Sequence, residues 1–241
     1  MKFALMIGNS RLHWARFSDV KIEEIWDTEH LTADAVNRLS CQFYLSSIPA
    51  PLVMASVVPE QTVLWQNYPN LRIITLDELP LSGLYSTLGI DRALAVLGAG
   101  MKLGWPVLVI DAGTALTFTG ADVNHCLIGG AILPGLSLQL SSLGQKTAAL
   151  PLISLPEILP RRWAGDTVTA MQSGVIYTVI AGVRDFIVDW LRLFPNSQIA
   201  ITGGDRSFLL AYLKVFCPDL VSSMIEAPEA IFWGMIARDS P

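Results

Sequence analysis

Three junctions between a strand and a turn, all rich in small residues and the first two also containing hydroxyl residues, are the parts of this sequence best suited to chemistry. Gly8–Arg11 follows a short apolar run, Asp111–Thr114 follows a second, and Gly203–Asp205 follows a third. Backbone amides in such turns form concavities that bind anions, and serine or threonine hydroxyls add further donors. The junctions together indicate a site for a phosphate-bearing ligand, although an ordinary β-turn explains each of them taken alone.

Charged residues at or near these junctions add to this interpretation. Arg11 brings a guanidinium to the first turn, and Asp111 places a carboxylate where it could hold a cation that neutralises phosphate charge. Asp91 and Arg92 open a helical pattern over Ala93–Leu103. Asp91 suits either a helix N-cap or a general base that accepts the proton of an attacking hydroxyl. Arg92 could bind a carboxylate or hydroxyl of the acceptor.

The composition excludes several classes of protein. Hydrophobic residues make up 52% of the 241 residues and charged residues 15%, with 16 Lys and Arg against 21 Asp and Glu. A disordered chain would combine low hydrophobicity with high net charge, and a nucleic-acid binder that works by bulk charge would be basic. The uncharged stretches at 123–145 and 167–183 contain polar residues, so we expect no membrane span and a cytoplasmic protein. The cysteines and histidines show no metal-ligand spacing.

The order of apolar runs and turns predicts an α/β fold with an internal repeat. Each half opens with a short hydrophobic strand, which is followed by a glycine turn and two further strand candidates; Gly8 lies over Gly113 at an offset of 105 residues. Further on, the apolar spacing predicts a helix over 167–193 and a strand over 198–202. The repeat favours two α/β lobes, and the alternative is one α/β domain with two unrelated turns.

Seven short segments form an ordered set along the chain. They are Ile7–Ser10 with Trp14, Gly89–Arg92, Asp111–Thr117, Gly129–Gly135, Lys146–Pro151, Thr167–Ala170 followed by Ser173 and Gly174, and Thr202–Asp205. No one of them is decisive, but the ordered set, which extends from residue 3 to about residue 205, resembles the type III pantothenate kinase family. That family belongs to the actin-like and sugar-kinase ATPase superfamily.

The resemblance implies a fold and an activity. The fold would be α/β, with two actin-like (ribonuclease H-like) lobes and a cleft between them, at residues 1–105 and 106–241. The activity would be the ATP-dependent phosphorylation of pantothenate to 4'-phosphopantothenate, the first step of coenzyme A biosynthesis. The resemblance further implies magnesium-bound ATP, a monovalent cation (potassium or ammonium), a cytoplasmic homodimer, and no nucleic-acid or membrane partner.

The resemblance also assigns roles to individual residues. Asp91 would be the proton acceptor, Asp111 would bind the monovalent cation, and Thr167 would reach the substrate, across a dimer interface. The ATP-binding residues would be Gly8, Asn9, Ser10, Arg11 and Thr114. The pantothenate site would comprise Tyr85, Gly89, Ile90, Asp91 and Arg92, together with Thr167.

Two positions depart from the family pattern. Met6, which the offset of the repeat sets opposite Asp111, stands where the family usually has an aspartate that helps to organise magnesium, and Thr119 stands where another aspartate is common. Phosphoryl transfer depends on positioning and charge neutralisation, so the loss of such a carboxylate could cost orders of magnitude in rate. The alternatives to a fully active kinase are a slow kinase, a rearranged metal site, and a nucleotide- or pantothenate-sensing regulatory protein without turnover. Another small-molecule kinase on the same fold is the remaining alternative.

Overall fold

Two five-stranded sheets organise the chain. The structure, a computed structural model, describes residues 1–19, 21–42, 44–45 and 48–237. Contacts between residues divide the chain into two compact units, Met1–Lys102 with Glu229–Pro241, and Leu103–Pro228. The first unit therefore takes in the C-terminal segment, whereas the sequence analysis placed that segment in the second lobe.

The first unit is built on a mixed sheet with the strand order β3-β2-β1-β6-β7, and a separate two-stranded sheet pairs β4 with β5. A short 3-10 helix at Leu76–Glu78 lies in the chain between β7 and α3. The bounds are β1 (Lys2–Ile7), β2 (Leu12–Ser18), β3 (Lys21–Thr28), α1 (Ala33–Gln42), β4 (Tyr44–Leu45), β5 (Ile48–Pro49), β6 (Leu52–Ser56), α2 (Pro59–Val63), β7 (Leu71–Ile73) and α3 (Ile90–Leu103).

The second unit repeats this plan with the strand order β10-β9-β8-β11-β12. The remaining bounds are β8 (Val107–Ala112), β9 (Ala115–Ala121), β10 (Leu127–Pro134), α4 (Leu136–Lys146), α5 (Thr167–Leu193), β11 (Gln198–Thr202), α6 (Arg206–Phe216), α7 (Pro218–Val221), β12 (Met224–Glu226) and α8 (Ala230–Ile236). Of these elements, α8 belongs to the first unit. No helix among the described residues has the length and the run of apolar side chains that a membrane span requires.

The two sheets share one topology. In each sheet the first strand of the unit, β1 or β8, pairs antiparallel with the next strand and parallel with a strand from later in the unit, β6 or β11. A further parallel strand, β7 or β12, extends the same side. The predicted α/β fold with two related halves is confirmed.

Strict alternation along β1 gives the first sheet two buried faces. Phe3, Leu5 and Ile7 join one core cluster, and Ala4 and Met6 join the other. The side chains of successive strand residues point to opposite faces, so an uninterrupted apolar run is buried on both sides. Helices α3 and α8 cover the face that carries Met6, with Leu94, Phe232 and Met235 among the buried residues of that cluster.

Two glycines let α3 and α8 approach backbone to backbone. A Cβ atom on Gly98 of α3 would lie 2.0 Å from the carbonyl oxygen of Ala230, and one on Gly234 of α8 would lie 2.1 Å from the carbonyl oxygen of Leu94. Real Cβ atoms are not found so close to a carbonyl oxygen, so both positions require glycine. The C-terminal helix is therefore a fitted part of the first unit.

A long segment without helix or strand, residues 150–166, is attached to the helices of the second unit. The side chains of Gln172, Ser173 and Tyr177 on α5 donate hydrogen bonds to its carbonyl oxygens over 2.6–3.1 Å. The hydroxyl of Tyr212 on α6 donates to the carbonyl oxygen of Pro156. Burial, and secondarily the charge of Asp205, raises the pKa of Tyr212 to about 12, so this hydroxyl keeps its proton and remains a donor.

Candidate active site

The first glycine turn joins β1 to β2 and leaves three side chains exposed. The amide of Gly8 donates to the carbonyl oxygen of Arg11 at 3.0 Å, which closes the turn. From outside the turn, His30 Nε2 lies 2.8 Å from the carbonyl oxygen of Gly8 and fixes that peptide. Asn9, Ser10 and Arg11 are exposed. The turn thus presents amide, hydroxyl and guanidinium donors, which is the chemistry that an anion such as phosphate needs.

Glycine backbone from the second turn and from the third junction lies beside the carboxylate of Asp111. A Cβ on Gly113 would lie 3.2 Å from Asp111 Oδ1, and a Cβ on Gly203 would lie 2.5 Å from the same oxygen. Gly203 also has a φ of +91°, which residues other than glycine rarely adopt. Both glycines leave room beside the carboxylate, and Thr114 is exposed on the same turn.

Two threonines flank this aspartate in the sheet. Asp111 on β8 is paired with Thr117 on β9 and with Thr202 on β11, and directly paired residues share one face of a sheet. Both threonines are buried. Carboxylate and hydroxyl oxygens are the ligands that hard cations prefer, so the row fits a cation. Sequence reasoning assigned no role to Thr117 or Thr202, and only strand register brings them beside Asp111.

The start of α4 holds the second turn in place. The amide of Gly135, the N-cap residue of α4, donates to the carbonyl oxygen of Thr114 at 2.8 Å. A Cβ on Gly135 would lie 2.1 Å from the carbonyl oxygen of Gly113. Asp205 adds a further connection, because its amide donates to the carbonyl oxygen of Ala112 and its Oδ2 accepts from the amide of Ser137. The junctions at 111–114 and 203–205 are therefore neighbours, as a shared site requires.

At the start of α3 the structure brings together a carboxylate, a guanidinium and a phenol. Asp91 Oδ1 accepts a hydrogen bond from the amide of Arg92 at 2.8 Å, and one guanidinium nitrogen of Arg92 donates to the Tyr85 hydroxyl at 3.1 Å. The absence of a side chain on Gly89 makes room, since a Cβ there would lie 2.4 Å from Asp91 Oδ1. The side chain of Ile90 packs in the core. Helix α3 begins at Ile90, so Asp91 lies in the first turn and not at the cap.

Thr167 is the first residue of α5 and is exposed. The preceding residue, Asp166, caps the helix, and its carboxylate accepts from the amide of Thr169 at 2.9 Å. That backbone hydrogen bond holds the pKa of Asp166 below its ordinary value. The cap fixes where the long helix begins and so fixes the position of Thr167 within the second unit.

Met6 is an apolar core residue, with 1% of its surface exposed. It lies on β1 two residues before Gly8, as Asp111 lies on β8 two residues before Gly113. The residues paired with it are His13 on β2 and Ala55 on β6. The thioether packs with the cluster beneath α3 and α8, so the packing of the first unit does not need a carboxylate at this position.

Comparison with known proteins decides the family. The family model described as type III pantothenate kinase matches residues 3–189, which is well over half of the chain. The chain belongs to the type III pantothenate kinase family. This result confirms the resemblance found from the ordered motifs, and the chain is an enzyme of that family.

Relatives that carry the name type III pantothenate kinase match almost the whole chain. One from Nostoc sp. is 54% identical over 96% of this chain and 92% of its own length. One from Synechocystis sp. is 48% identical over 97% of this chain and 88% of its own length. The similarity therefore extends beyond the motifs to both units of the kinase.

Two solved structures support the fold alone. A protein from Campylobacter jejuni assigned to the Baf family of transcriptional activators superposes with a TM-score of 0.67 at 19% identity, over 98% of both chains. The activator of 2-hydroxyisocaproyl-CoA dehydratase from Clostridium difficile, with bound ADPNP, gives 0.54 at 11% identity, over 97% of this chain and 92% of that one. Because the identities are this low, the two comparisons show only that this chain shares an architecture with both proteins.

Proposed function

We propose that this cytoplasmic enzyme transfers the γ-phosphoryl group of ATP to the primary hydroxyl of pantothenate, which begins coenzyme A synthesis. The observation that carries the proposal is the cluster at the start of α3. There, a carboxylate, a buried guanidinium and an exposed phenol lie within one helical turn and the loop before it. A carboxylic acid with a reactive hydroxyl needs such a set: a cation for its carboxylate and a base for its hydroxyl.

The roles of Asp91 and Arg92 follow from their contacts. One oxygen of Asp91 accepts from the amide of Arg92, which fixes the carboxylate and leaves its other oxygen for the substrate hydroxyl. That oxygen takes the hydroxyl proton as the phosphoryl group is transferred. The buried guanidinium of Arg92, positioned by Tyr85, binds the carboxylate of pantothenate.

The two glycine turns bind the nucleotide and its cations. Gly8, Asn9, Ser10 and Arg11 contact phosphate oxygens through amides and side chains, and Thr114 adds a hydroxyl contact to ATP. Magnesium, when bound, neutralises charge on the phosphates. Asp111, flanked by buried threonines, suits a monovalent cation such as potassium or ammonium.

Potassium dependence tests the role of Asp111. We expect the rate of ADP release with pantothenate to rise strongly in potassium or ammonium and little in sodium, because a selective site discriminates by ion size. Asp111→Asn should remove that preference. The matched control is Asp189→Asn, a surface aspartate on α5 paired with Arg192, which should keep it. Equal rates of the wild type in sodium and potassium would refute a selective site at Asp111.

A nucleotide- or pantothenate-sensing protein without turnover is the second candidate. Met6 supports it, because an apolar core residue stands where the family usually has a metal-organising carboxylate. The same assay separates the two candidates. ADP release that depends on pantothenate supports the kinase, and tight binding of both ligands without ADP release supports the sensor.

Exposed apolar side chains of the second unit support a homodimer. Phe186 and Val188 on α5 are 46% and 52% exposed, and Phe186 stacks on Phe118 with ring centroids 4.4 Å apart. Trp163 is 90% exposed in the segment before α5. Exposed aromatic side chains of this kind are enriched in protein interfaces. Thr167, in the first turn of α5, would then reach the substrate across this interface.

Sedimentation equilibrium tests the homodimer. We expect a dimer for the wild type and a dissociation constant raised by roughly 30-fold or more for Phe186→Asp, because central aromatic residues dominate interface energies. The matched control is Val215→Asp on α6, a site 70% exposed in the same unit, which should remain dimeric. A monomeric wild type at micromolar concentration, or equal effects of the two substitutions, would refute this interface.

A further inference from the structure

Next to the glycine turns, each sheet has a row of residues that are paired from strand to strand. The polar residues of the two rows lie on different strands. In the second sheet the polar residues occupy the inner strands: the row, from the outer strand β10 inwards, is Ile132, Thr117, Asp111 and Thr202. In the first sheet they occupy the edge strand β3 and its neighbour β2: the row, from β3 inwards, is Asp27, His13, Met6 and Ala55. The carboxylate of the first sheet, Asp27, therefore lies on β3. This strand is two strands away from β1, which corresponds to the strand of Asp111 in the second sheet.

The imidazole of His13 connects that carboxylate to the first glycine turn. His13 Nδ1 lies 2.7 Å from Asp27 Oδ1, so the carboxylate accepts a hydrogen bond from Nδ1–H and fixes the plane of the ring. The opposite nitrogen, Nε2, lies 3.3 Å from the place that a Cβ on Gly8 would occupy. The side chains of His13 and Asp27 are 40% and 48% exposed, so a ligand on the turn can reach the ring.

We propose that His13, oriented by Asp27, is a phosphate-binding residue of this kinase. Its Nε2–H donates a hydrogen bond to a phosphate oxygen of the nucleotide held by Gly8–Arg11, so the proposal rests on the assignment of that turn to ATP. Donation from both ring nitrogens to anionic acceptors requires the protonated form of the ring. Asp27 is a positioning residue that acts through the ring.

The pair explains how the first turn manages phosphate charge without a carboxylate on β1. A carboxylate at position 6 would act through a divalent cation, and a thioether cannot do so because magnesium prefers oxygen ligands. An imidazolium meets the phosphate charge directly and needs no metal. The methionine is then free to fill the core cluster beneath α3 and α8.

Calorimetric titration of ATP, ADP and AMP into the full chain, with and without magnesium, tests the proposal. His13→Gln should weaken ATP or ADP by roughly 10- to 100-fold, the usual worth of a charged hydrogen bond, and should leave AMP within about twofold. His13→Lys, which restores a cation, should recover most of the affinity. The matched control is His125→Asn, because His125 lies in the other unit and asparagine tolerates its φ of +58°.

The positioning role of Asp27 has its own readout. Asp27→Asn should weaken ATP by roughly 10-fold in the wild-type background and should have no further effect in His13→Gln. Additive losses in the double variant would show that Asp27 acts independently of the ring and would overturn its role. If a thermal melt shows that His13→Gln does not fold, the ATP affinities of His13→Lys and Asp27→Asn test the proposal instead, since both variants keep a polar side chain in place.

Other outcomes separate this proposal from the assignment of the turn. An equal loss of AMP affinity in His13→Gln would place the ring away from the outer phosphates, and a loss seen only with magnesium would make His13 a metal ligand; either result overturns the proposal. If Arg11→Gln weakens ATP and His13→Gln does not, the turn is correct and the role of His13 is wrong. If neither does, the turn itself is wrongly assigned.

Discussion

Asp91→Asn should lower kcat by roughly 10²–10⁴, the usual contribution of a general base, and should change the KM for pantothenate little. Asparagine is isosteric and its side-chain oxygen still accepts from the amide of Arg92, so the start of α3 keeps its geometry. Only the ability to take a proton is lost. Steady-state kinetics and single-turnover phosphorylation with saturating ATP and pantothenate measure the effect.

The matched control for this variant is Asp34→Asn. Asp34 is the second residue of α1, as Asp91 is the second residue of α3, so the two substitutions remove the same charge from the same helical position. Both variants should therefore show the same effect of helix-end charge on stability, and only Asp91→Asn should show the loss of kcat. Near-full activity of Asp91→Asn would show that another group accepts the proton.

Gly135→Ala should have the second largest effect, on both stability and turnover. The φ of Gly135 is −64°, which any residue adopts, so the only obstacle is space: the new methyl group would lie 2.1 Å from the carbonyl oxygen of Gly113. Either α4 or the second turn must move. We expect a loss of about 1–3 kcal/mol in the free energy of unfolding. Because Thr114 moves with the turn, we also expect kcat/KM for ATP to fall by about 10²-fold.

Gly182→Ala is the control for Gly135→Ala. A Cβ on Gly182 meets nothing within 4 Å in the middle of α5, so alanine there should stabilise the protein by about 0.4–1 kcal/mol and leave the kinetics unchanged. Chemical denaturation and ATP-dependent kinetics on both variants provide the comparison. A Gly135→Ala variant as stable and active as the wild type would show that α4 does not hold the turn in place.

Local sequence signals predicted much of the framework. The bounds of α5 and β11 agree with the structure residue for residue, because an unbroken apolar period and a run of β-branched residues before two glycines are local features. The repeat was visible in the offset between Gly8 and Gly113, and the matching strand orders of the two sheets confirm it.

Features that depend on distant parts of the chain were not predictable in the same way. Helix α4 was missed, since its serines and Gly144 weaken the helical pattern and its start is fixed by backbone contacts of Gly135 with the second turn. The partners of the site residues, such as Thr117 beside Asp111 or Asp27 beside His13, follow from strand register. Register depends on pairing between strands, which the motifs do not encode.

The place of α8 in the first unit reverses the usual order of folding on the ribosome. Domains generally fold from the N-terminus as the chain emerges. Here residues 103–228 form a continuous stretch, so the second unit has all its parts before the first does. On the face of the first sheet with Met6 and Phe17, only α3 can pack early, because Phe232 and Met235 of α8 are synthesised later. The half of the enzyme that is translated first is thus the half that is completed last.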